Sequence, residues 1–246
     1  MNHIHTLLLT LLLVIASPFL LAQQDEDEFL VEDEDDFFFF DEEEEPTPSI
    51  ADPMEGVNRA IFNFNDLLYR KALKPVARGL RTVPEPARVS ASNFFNNLGT
   101  PVSAVTALLQ GDLPNAGTEA SRFLINTTLG ILGLFDPATD MNLQRDQEDF
   151  GQTLGRWGAG HGFYIVIPFL GSSSLRDLVG RSVNASLNPV NYALHRDAII
   201  GMNLVNVEVS LSLDKDTYES LYESALDPYI FFRSAYEQNR AGRVDQ

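Results

Sequence analysis

The chain has 246 residues, 44% of them hydrophobic, and carries 17 basic against 35 acidic side chains, for a formal net charge of −18. That balance leaves no basic stripe for a nucleic-acid backbone, so nucleic acid is not an expected partner. The absence of cysteine excludes disulfides and thiolate chemistry.

Residues 1–22 are expected to be a secretory signal peptide. Ile4 to Leu21 is largely apolar, with His5, Thr6, Thr10, Ser17 and Pro18 inside it, and lies at the extreme N-terminus. No Lys or Arg precedes it, and Leu20 stands three before a cleavage after Ala22, where a small residue is preferred, so an uncleaved anchor is the alternative. Residues 23–48 are expected to be an acidic, disordered linker. Between Asp25 and Glu45 there are 14 carboxylates and no basic residue, which leaves −4 for the rest of the chain. Like charges at that density resist compaction. Phe37 to Phe40 in its middle is either incidental or an apolar foot on a membrane. Pro46 and Pro48 mark the entry to one domain, 49–246, long enough for a sizeable core.

This domain reads as mainly α, with short helices punctuated by Pro and Gly. Asp52 and Glu55 make a D-x-x-E capping box with Pro53 at the first helical position, and the helix should run to about Lys74, where Pro75 interrupts it. Further helices are predicted over ~86–97, from Thr100-Pro101 to Gly111, over ~115–128, briefly between Gly130 and Phe135, and over ~147–156. Serines 172–174 should cap a helix carrying Leu175, Leu178, Val179 and Val183. A long helix over ~197–225 should follow, with Leu204, Val207, Leu211, Tyr218, Leu221 and Tyr222 in one stripe. Asp227-Pro228 caps the last helix.

The segment 148–177 is the most distinctive. It holds Gly151, Gly155, Gly158, Gly160, Gly162 and Gly171, the single Trp, and an apolar run from Phe163 to Leu170 broken by Pro168. Glycine at that density admits positive φ and close backbone approach, so the element is shaped and able to hinge. The plain alternative is a glycine-rich loop leading into a buried segment. The stretch 164–167 is β-prone, but Pro168 and the bounding glycines limit it to a short strand or hairpin arm. Gly158, Gly160 and Gly162 superficially suggest phosphate binding. Apolar residues follow them where a helix N-terminus should stand, which excludes a dinucleotide site.

Outside the signal only His161 and His195 remain, and no HExxH, EF-hand or GxSxG spacing occurs. No metal, cofactor or enzymatic activity is expected. What stands out is a polar set within apolar sequence: Asn58, Arg59, Asn63 and Asn65 on the first helix, Arg122 and Asn126 four apart on another, and Asp149, Arg156, Arg176 and Asp177 around the glycine element. These groups either pair within the fold or line a polar path. Phe62, Phe64, Phe94, Phe95, Phe123, Ile125, Leu129, Ile131, Leu132, Leu134 and Phe135 are too many for one narrow stripe; they make an ordinary core or a face immersed in one leaflet.

Blocks in order along the chain resemble the MlaA (VacJ) family. They are DPMEGVNR (52–59), FNFN (62–65), VPEPAR (83–88), SNFFNNL (92–98), LQGD (109–112), RFLINTTLG (122–130), GLFD (133–136), the segment 148–177, and DPY (227–229) followed by Arg233, Ala235 and Tyr236. The match runs from Asp52 to near Tyr236 and is loose over ~190–226. The resemblance implies a flat helical ring on the periplasmic face of the Gram-negative outer membrane, in its inner leaflet. It would remove mislocalised phospholipid from the outer leaflet through a central amphipathic channel, pass it to a periplasmic MlaC-like carrier, and sit beside a trimeric porin. It also implies a hinge at Gly158 and Gly160, with Phe163, Tyr164, Ile165, Val166, Ile167 and Pro168 as the apolar arm of a hairpin bordering the channel. Two features depart from the family. With no cysteine the chain is expected not to be lipidated, and Phe163 stands where proline is usual. A structural outer-membrane tether and a periplasmic lipid-modifying enzyme are the alternative classes.

Overall fold

The computed structural model describes residues 50–245, so the expected signal peptide (1–22) and acidic linker (23–48), with Phe37 to Phe40, lie outside the described residues. The fold is mainly α. Helix α1 (Glu55–Leu68) passes through a π turn (Tyr69–Leu73) into α2 (Lys74–Leu80). There follow α3 (Glu85–Gln110), α4 (Leu113–Thr128), α5 (Pro137–Asp140) and α6 (Phe150–Arg156), then the strands β1 (Tyr164–Ile167) and β2 (Gly171–Ser174). The chain ends with α7 (Leu175–Leu187), α8 (Val190–Ala193), α9 (Arg196–Leu213), α10 (Thr217–Ser224) and α11 (Pro228–Asp245).

Two prolines expected at helix boundaries, Pro75 at an end and Pro101 at a start, do not interrupt the chain's helices. Ahead of Pro75 the π turn sends the Lys74 N–H back to the Tyr69 carbonyl, and the proline falls in the first turn of α2, where its missing N–H is not needed. Pro101 lies inside the single 26-residue helix α3, which replaces the two predicted helices. An internal proline costs about 3 kcal/mol. Tertiary bonds just beyond it hold the helix to the 146–148 segment: Glu148 N–H donates to Ser103 Oγ (2.8 Å) and Thr106 Oγ1 donates to the Glu148 carbonyl (2.8 Å). As expected, α3 ends at Gly111, with φ +84°.

Three other expectations are corrected. Asp52 does not cap α1, whose N-cap, Met54, makes no side-chain bond. Asp52 instead accepts Asn58 Nδ2–H (2.7 Å) and the Tyr229 hydroxyl. Between Gly130 and Phe135 there is no helix. Ile131, Leu132 and Gly133 have φ of +53°, +59° and +88°, and successive left-handed residues cannot continue a right-handed helix. The helix expected over 197–225 breaks at 214–216, where Asp216 has φ +69° and is held by Arg81 (2.8 Å) and Lys74 (3.4 Å).

The strands form an antiparallel hairpin with Tyr164 opposite Ser174 and Ile167 opposite Gly171. Of the three serines expected as caps, Ser172 and Ser173 are strand residues, while Ser174 ends β2 and caps α7 by accepting the Asp177 N–H (3.2 Å). Packing contacts close a circuit. Helix α2 packs on α9, α9 on α3, α3 on α6, and α6 on α7 and α11; α11 packs on β2, and its partner β1 returns to α1. One core cluster joins Tyr69, Leu73 and Ala77 to Val207, Leu211 and Tyr218. A second joins Ile50, Phe62, Tyr164, Val166 and Tyr229, and Tyr222 and Phe232 pack against both.

Candidate functional site

The distribution of polarity is the first property of the site. Among the described residues, twenty-one polar or charged side chains are buried against fifteen apolar ones, while thirty large apolar side chains are exposed. A domain surrounded by water has the opposite balance, because buried polar groups are costly unless paired and exposed apolar area forfeits about 25 cal/mol per Å². The apolar surface is also contiguous in places: the 129–135 turn alone exposes Leu129, Ile131, Leu132, Leu134 and Phe135.

Three polar clusters occupy the interior. The first docks the hairpin on α1. Asn58 and Asn65, two turns apart on one face, each present an amide to the backbone of β1 and its turn. Asn58 donates to the Tyr164 carbonyl (3.2 Å) and accepts the Val166 N–H (2.9 Å). Asn65 donates to the Ile167 carbonyl (3.0 Å) and accepts the Phe169 N–H (2.8 Å). Each side chain thereby supplies the donor–acceptor pair that a neighbouring strand would. Phe169 is held at φ +71°, a costly value for a bulky residue, with its ring against Phe64.

The second cluster lies between α3, α4 and the 136–146 segment. Asp136 caps α5 and accepts from Arg122 Nη2 (2.7 Å), Asn126 Nδ2 (2.8 Å) and Thr139 Oγ1 (2.8 Å). Burial works against this carboxylate, but the bonds from Thr139, Asn126 and Arg122 outweigh it and hold its pKa below the ordinary range. Arg122 also donates to Thr139 Oγ1 (3.1 Å) and to the Leu143 carbonyl. These groups form one wall of a small, partly open polar cleft of about 20 Å³, completed by Arg145 and by Asn93, Asn96, Asn97 and Thr100 of α3.

The third cluster ties α6, α7 and α11 together. Arg240 reaches both oxygens of Asp149 (2.6 and 3.0 Å), and its Nε stands 2.6 Å from Asp177 Oδ2 as an ion pair without an aligned hydrogen bond. Tyr236 donates to the same Asp177 oxygen (2.6 Å), and Arg176 Nε to the other (3.1 Å). Burial alone would raise the Asp149 pKa; Arg240 reverses this and holds it low. The helices come close because Gly180 lies against Gly151, where an added Cβ would stand 2.7 Å from the Gly151 Cα. His161 borders this region with its pKa lowered by burial and by Arg176.

The family model described as MlaA lipoprotein matches residues 50–243, nearly the whole described domain. The chain belongs to the MlaA family. Its relatives include the intermembrane phospholipid transport system lipoprotein MlaA of Shigella flexneri, 39% identical over 194 residues and covering 76% of each chain. The Escherichia coli K12 protein of the same name is 38% identical with the same coverage. An uncharacterised protein of Rickettsia typhi is 34% identical over 197 residues, covering 79% of this chain and 78% of its own. A solved structure, from work on the structural basis for maintenance of bacterial outer membrane lipid asymmetry, matches with a TM-score of 0.71 and 37% identity. It covers 79% of this chain and 99% of that one.

The residues expected from sequence thus divide. Asn58 and Asn65 hold the hairpin, Arg122 and Asn126 line the cleft, and Asp149, Arg176 and Asp177 meet in the ionic cluster. Arg59 lies nearer the surface, paired with Glu55 (2.7 Å) and Asp227 (2.8 Å) and stacked on Tyr229. Arg156 pairs with Glu148 (3.5 Å), and Asn63 is exposed. On the hairpin arm Tyr164 and Val166 are core residues, Phe163, Ile165 and Ile167 are half-buried, and Pro168 is exposed. Of the two glycines expected as a hinge, Gly158 has φ +87°, whereas Gly160 lies outside the left-handed region; a Cβ would meet nothing at either. Sequence reasoning missed Asp136, Arg145, Tyr236 and Arg240. For Tyr236 and Arg240 the four-residue spacing on the last helix was the available signal. Among the described residues no group of three or more His, Cys, Asp or Glu could hold a metal, and no helix is long and apolar enough to cross a membrane.

Proposed function

We propose that this protein is the outer-membrane component of a phospholipid transport system. It lies in the inner leaflet with its apolar surface among acyl chains and its polar interior forming a channel for head groups. Phospholipid misplaced in the outer leaflet passes through this channel and is handed to a periplasmic MlaC-like carrier, with a trimeric porin as neighbour. The single observation that carries the reading is the inversion of burial: polar side chains predominate inside and apolar ones cover the outside. A head group cannot cross hydrocarbon without partners for its charge, and a bore lined by amides and guanidinium groups supplies them while the acyl chains stay on the apolar side. Energy and direction come from partners, and no catalytic step is required. The sequence holds no cysteine to carry the acyl group that the family description implies, so retention at the membrane rests on the apolar surface and the porin. The segment around Gly158 and Gly160 acts as the hinge of the hairpin.

Membership of a family whose named relatives are phospholipid transport lipoproteins supports the same reading. The test is the amount of phospholipid exposed in the outer leaflet of the source cell. Deletion is expected to raise it and re-expression to restore it. No rise, with the protein present at the outer membrane, would favour a tether.

A further inference from the structure

The cleft between α3, α4 and the 136–146 segment contains more cationic and donor capacity than the fold consumes. Its one lining carboxylate, Asp136, is already occupied by Arg122, Asn126 and Thr139. The second guanidinium there, Arg145, has no hydrogen bond and no ion pair. The nearby Glu119 is fully buried and accepts the Asp146 N–H (3.1 Å); Glu119 and Asp136 act on Arg145 through their charge, but neither bonds its guanidinium. Burial depresses the Arg145 pKa to about 10, so the cation is held where water solvates it poorly. Asn93 and Asn96 also line the cleft with side chains that make no bond within the protein, and the Asn97 Oδ1 is buried without a partner. A buried polar atom such as Asn97 Oδ1 is nearly always satisfied, and the half-buried Arg145, Asn93 and Asn96 beside it face the cleft opening with donors free for a ligand.

What that something is follows from the neighbouring turn. The 129–135 turn leaves α4 just after Asn126 and ends at Asp136, so it starts and finishes at the cleft wall. It is fastened down by the Gly133 N–H on the Asn126 carbonyl (2.8 Å) and the Leu132 N–H on the Thr127 carbonyl (2.9 Å). It also lies directly on the cleft residue Asn97, since a Cβ at Gly133 would stand 2.5 Å from the Asn97 Cβ. Yet Ile131 and Leu132 are 59% and 64% exposed. A rigid turn with outward apolar side chains, sited beside a cleft with an unpaired guanidinium, matches a molecule with an oxyanion next to hydrocarbon.

Resting on the phospholipid reading above, we propose that the cleft is a head-group subsite. Arg145, with Asn93 and Asn96, binds the singly charged phosphodiester of a phospholipid whose acyl chains run along the 129–135 turn. Arginine suits this role because its planar fork offers two parallel N–H donors to phosphate oxygens.

The test is calorimetric titration of the full chain in phosphate-free neutral detergent with three probes: a dihexanoyl phospholipid, inorganic phosphate, and dihexanoylglycerol. The phospholipid should bind, and Arg145→Gln should weaken it by at least about tenfold while leaving dihexanoylglycerol unaffected. Asn93→Asp breaks no bond within the fold and should weaken the phospholipid comparably, so the inference stays testable if Arg145→Gln fails to fold. Inorganic phosphate binding as tightly as the phospholipid, with the same sensitivity to Arg145, would assign the cleft to a free anion and overturn the head-group assignment. Phospholipid binding unchanged in both folded variants, or absent in the parent, would overturn it as well. The transport reading fails separately, if deletion of the gene leaves outer-leaflet phospholipid unchanged.

Discussion

Replacing Arg240 with methionine is the sharpest probe of how the interior is held together. The side chain is almost fully buried and neutralises two carboxylates on two other elements, Asp149 (2.6 and 3.0 Å) and Asp177 (2.6 Å). Methionine fills much of the same volume, so packing loss is small and the effect isolates charge. Asp177 retains Arg176 and Tyr236, but Asp149 keeps the backbone N–H bonds at the start of α6, the Gln152 N–H at 2.9 Å among them, and the charge of Arg181 without a bond to it. Removing one partner of a buried ion pair costs about 3–5 kcal/mol, a large share of the roughly 5–15 kcal/mol that stabilises a typical domain. The pH dependence gives the signature. In the parent, the Asp149 pKa is depressed, so its contribution is present above the unfolded value of about 3.9 and is lost only as pH falls through the lower folded value. In Arg240→Met, burial is opposed only by the backbone N–H bonds and by the charge of Arg181, and the folded pKa rises. The variant is then penalised wherever Asp149 must ionise, and the penalty grows from pH 5 to pH 8. Denaturant unfolding in neutral detergent at both pH values measures this. Adding Asp149→Asn to Arg240→Met should recover part of the loss, since no bare charge remains at position 149. A penalty below about 1 kcal/mol, or one equal at the two pH values, would refute the assignment of Arg240 as the cation that permits burial of Asp149.

Three other outcomes are expected. Glu208 on α9 is buried with one carboxyl oxygen unpartnered, and burial raises its pKa to about 7. Stability should fall as pH rises from the ordinary carboxylate range through 7, and Glu208→Gln should abolish that slope and stabilise the protein at pH 8 by up to about 3 kcal/mol, as read from denaturation midpoints. Asn58→Leu strips two backbone groups of β1 of their partners, at about 1–3 kcal/mol for each group left unpaired, and should accelerate hydrogen exchange at the Val166 amide. Gly158→Ala should cost about 1 kcal/mol because φ is +87° there, and should raise outer-leaflet phospholipid, while Gly160→Ala should be nearly neutral in both assays. Equal effects of the two glycine variants would remove Gly158 as the hinge.

The features that could be read from sequence are those governed by near neighbours. The end of α3 at Gly111, the Ser174 cap of α7, the Asp227-Pro228 start of the last helix and the strand at 164–167 all follow from backbone restrictions acting over a few residues. The family blocks identified the relatives for the same reason, since they are short and local. Of the polar residues chosen from sequence, Asn58, Asn65, Arg122, Asn126, Asp149, Arg176 and Asp177 find partners within the fold, whereas Asn63 is exposed and Arg59 pairs nearer the surface. Sequence could not name those partners. Asp52 looked like a cap and is spent on Tyr229, 177 positions away. Pro101 looked like a helix start, and it lies inside one long helix that bonds to Glu148 hold in place. Arg240 sits 91 residues from Asp149, and nothing in either local pattern links them. Arg145 sits in an unremarkable charged stretch, and only the cleft around it shows that its guanidinium makes no hydrogen bond within the fold. Local order is set by φ/ψ preference and periodicity within one or two turns, whereas burial and pairing depend on which distant surfaces meet. The chain alone therefore determined the helical class, several helix ends and the family, and the tertiary structure decided where helices run on or break, which charges are paired, and which face is apolar.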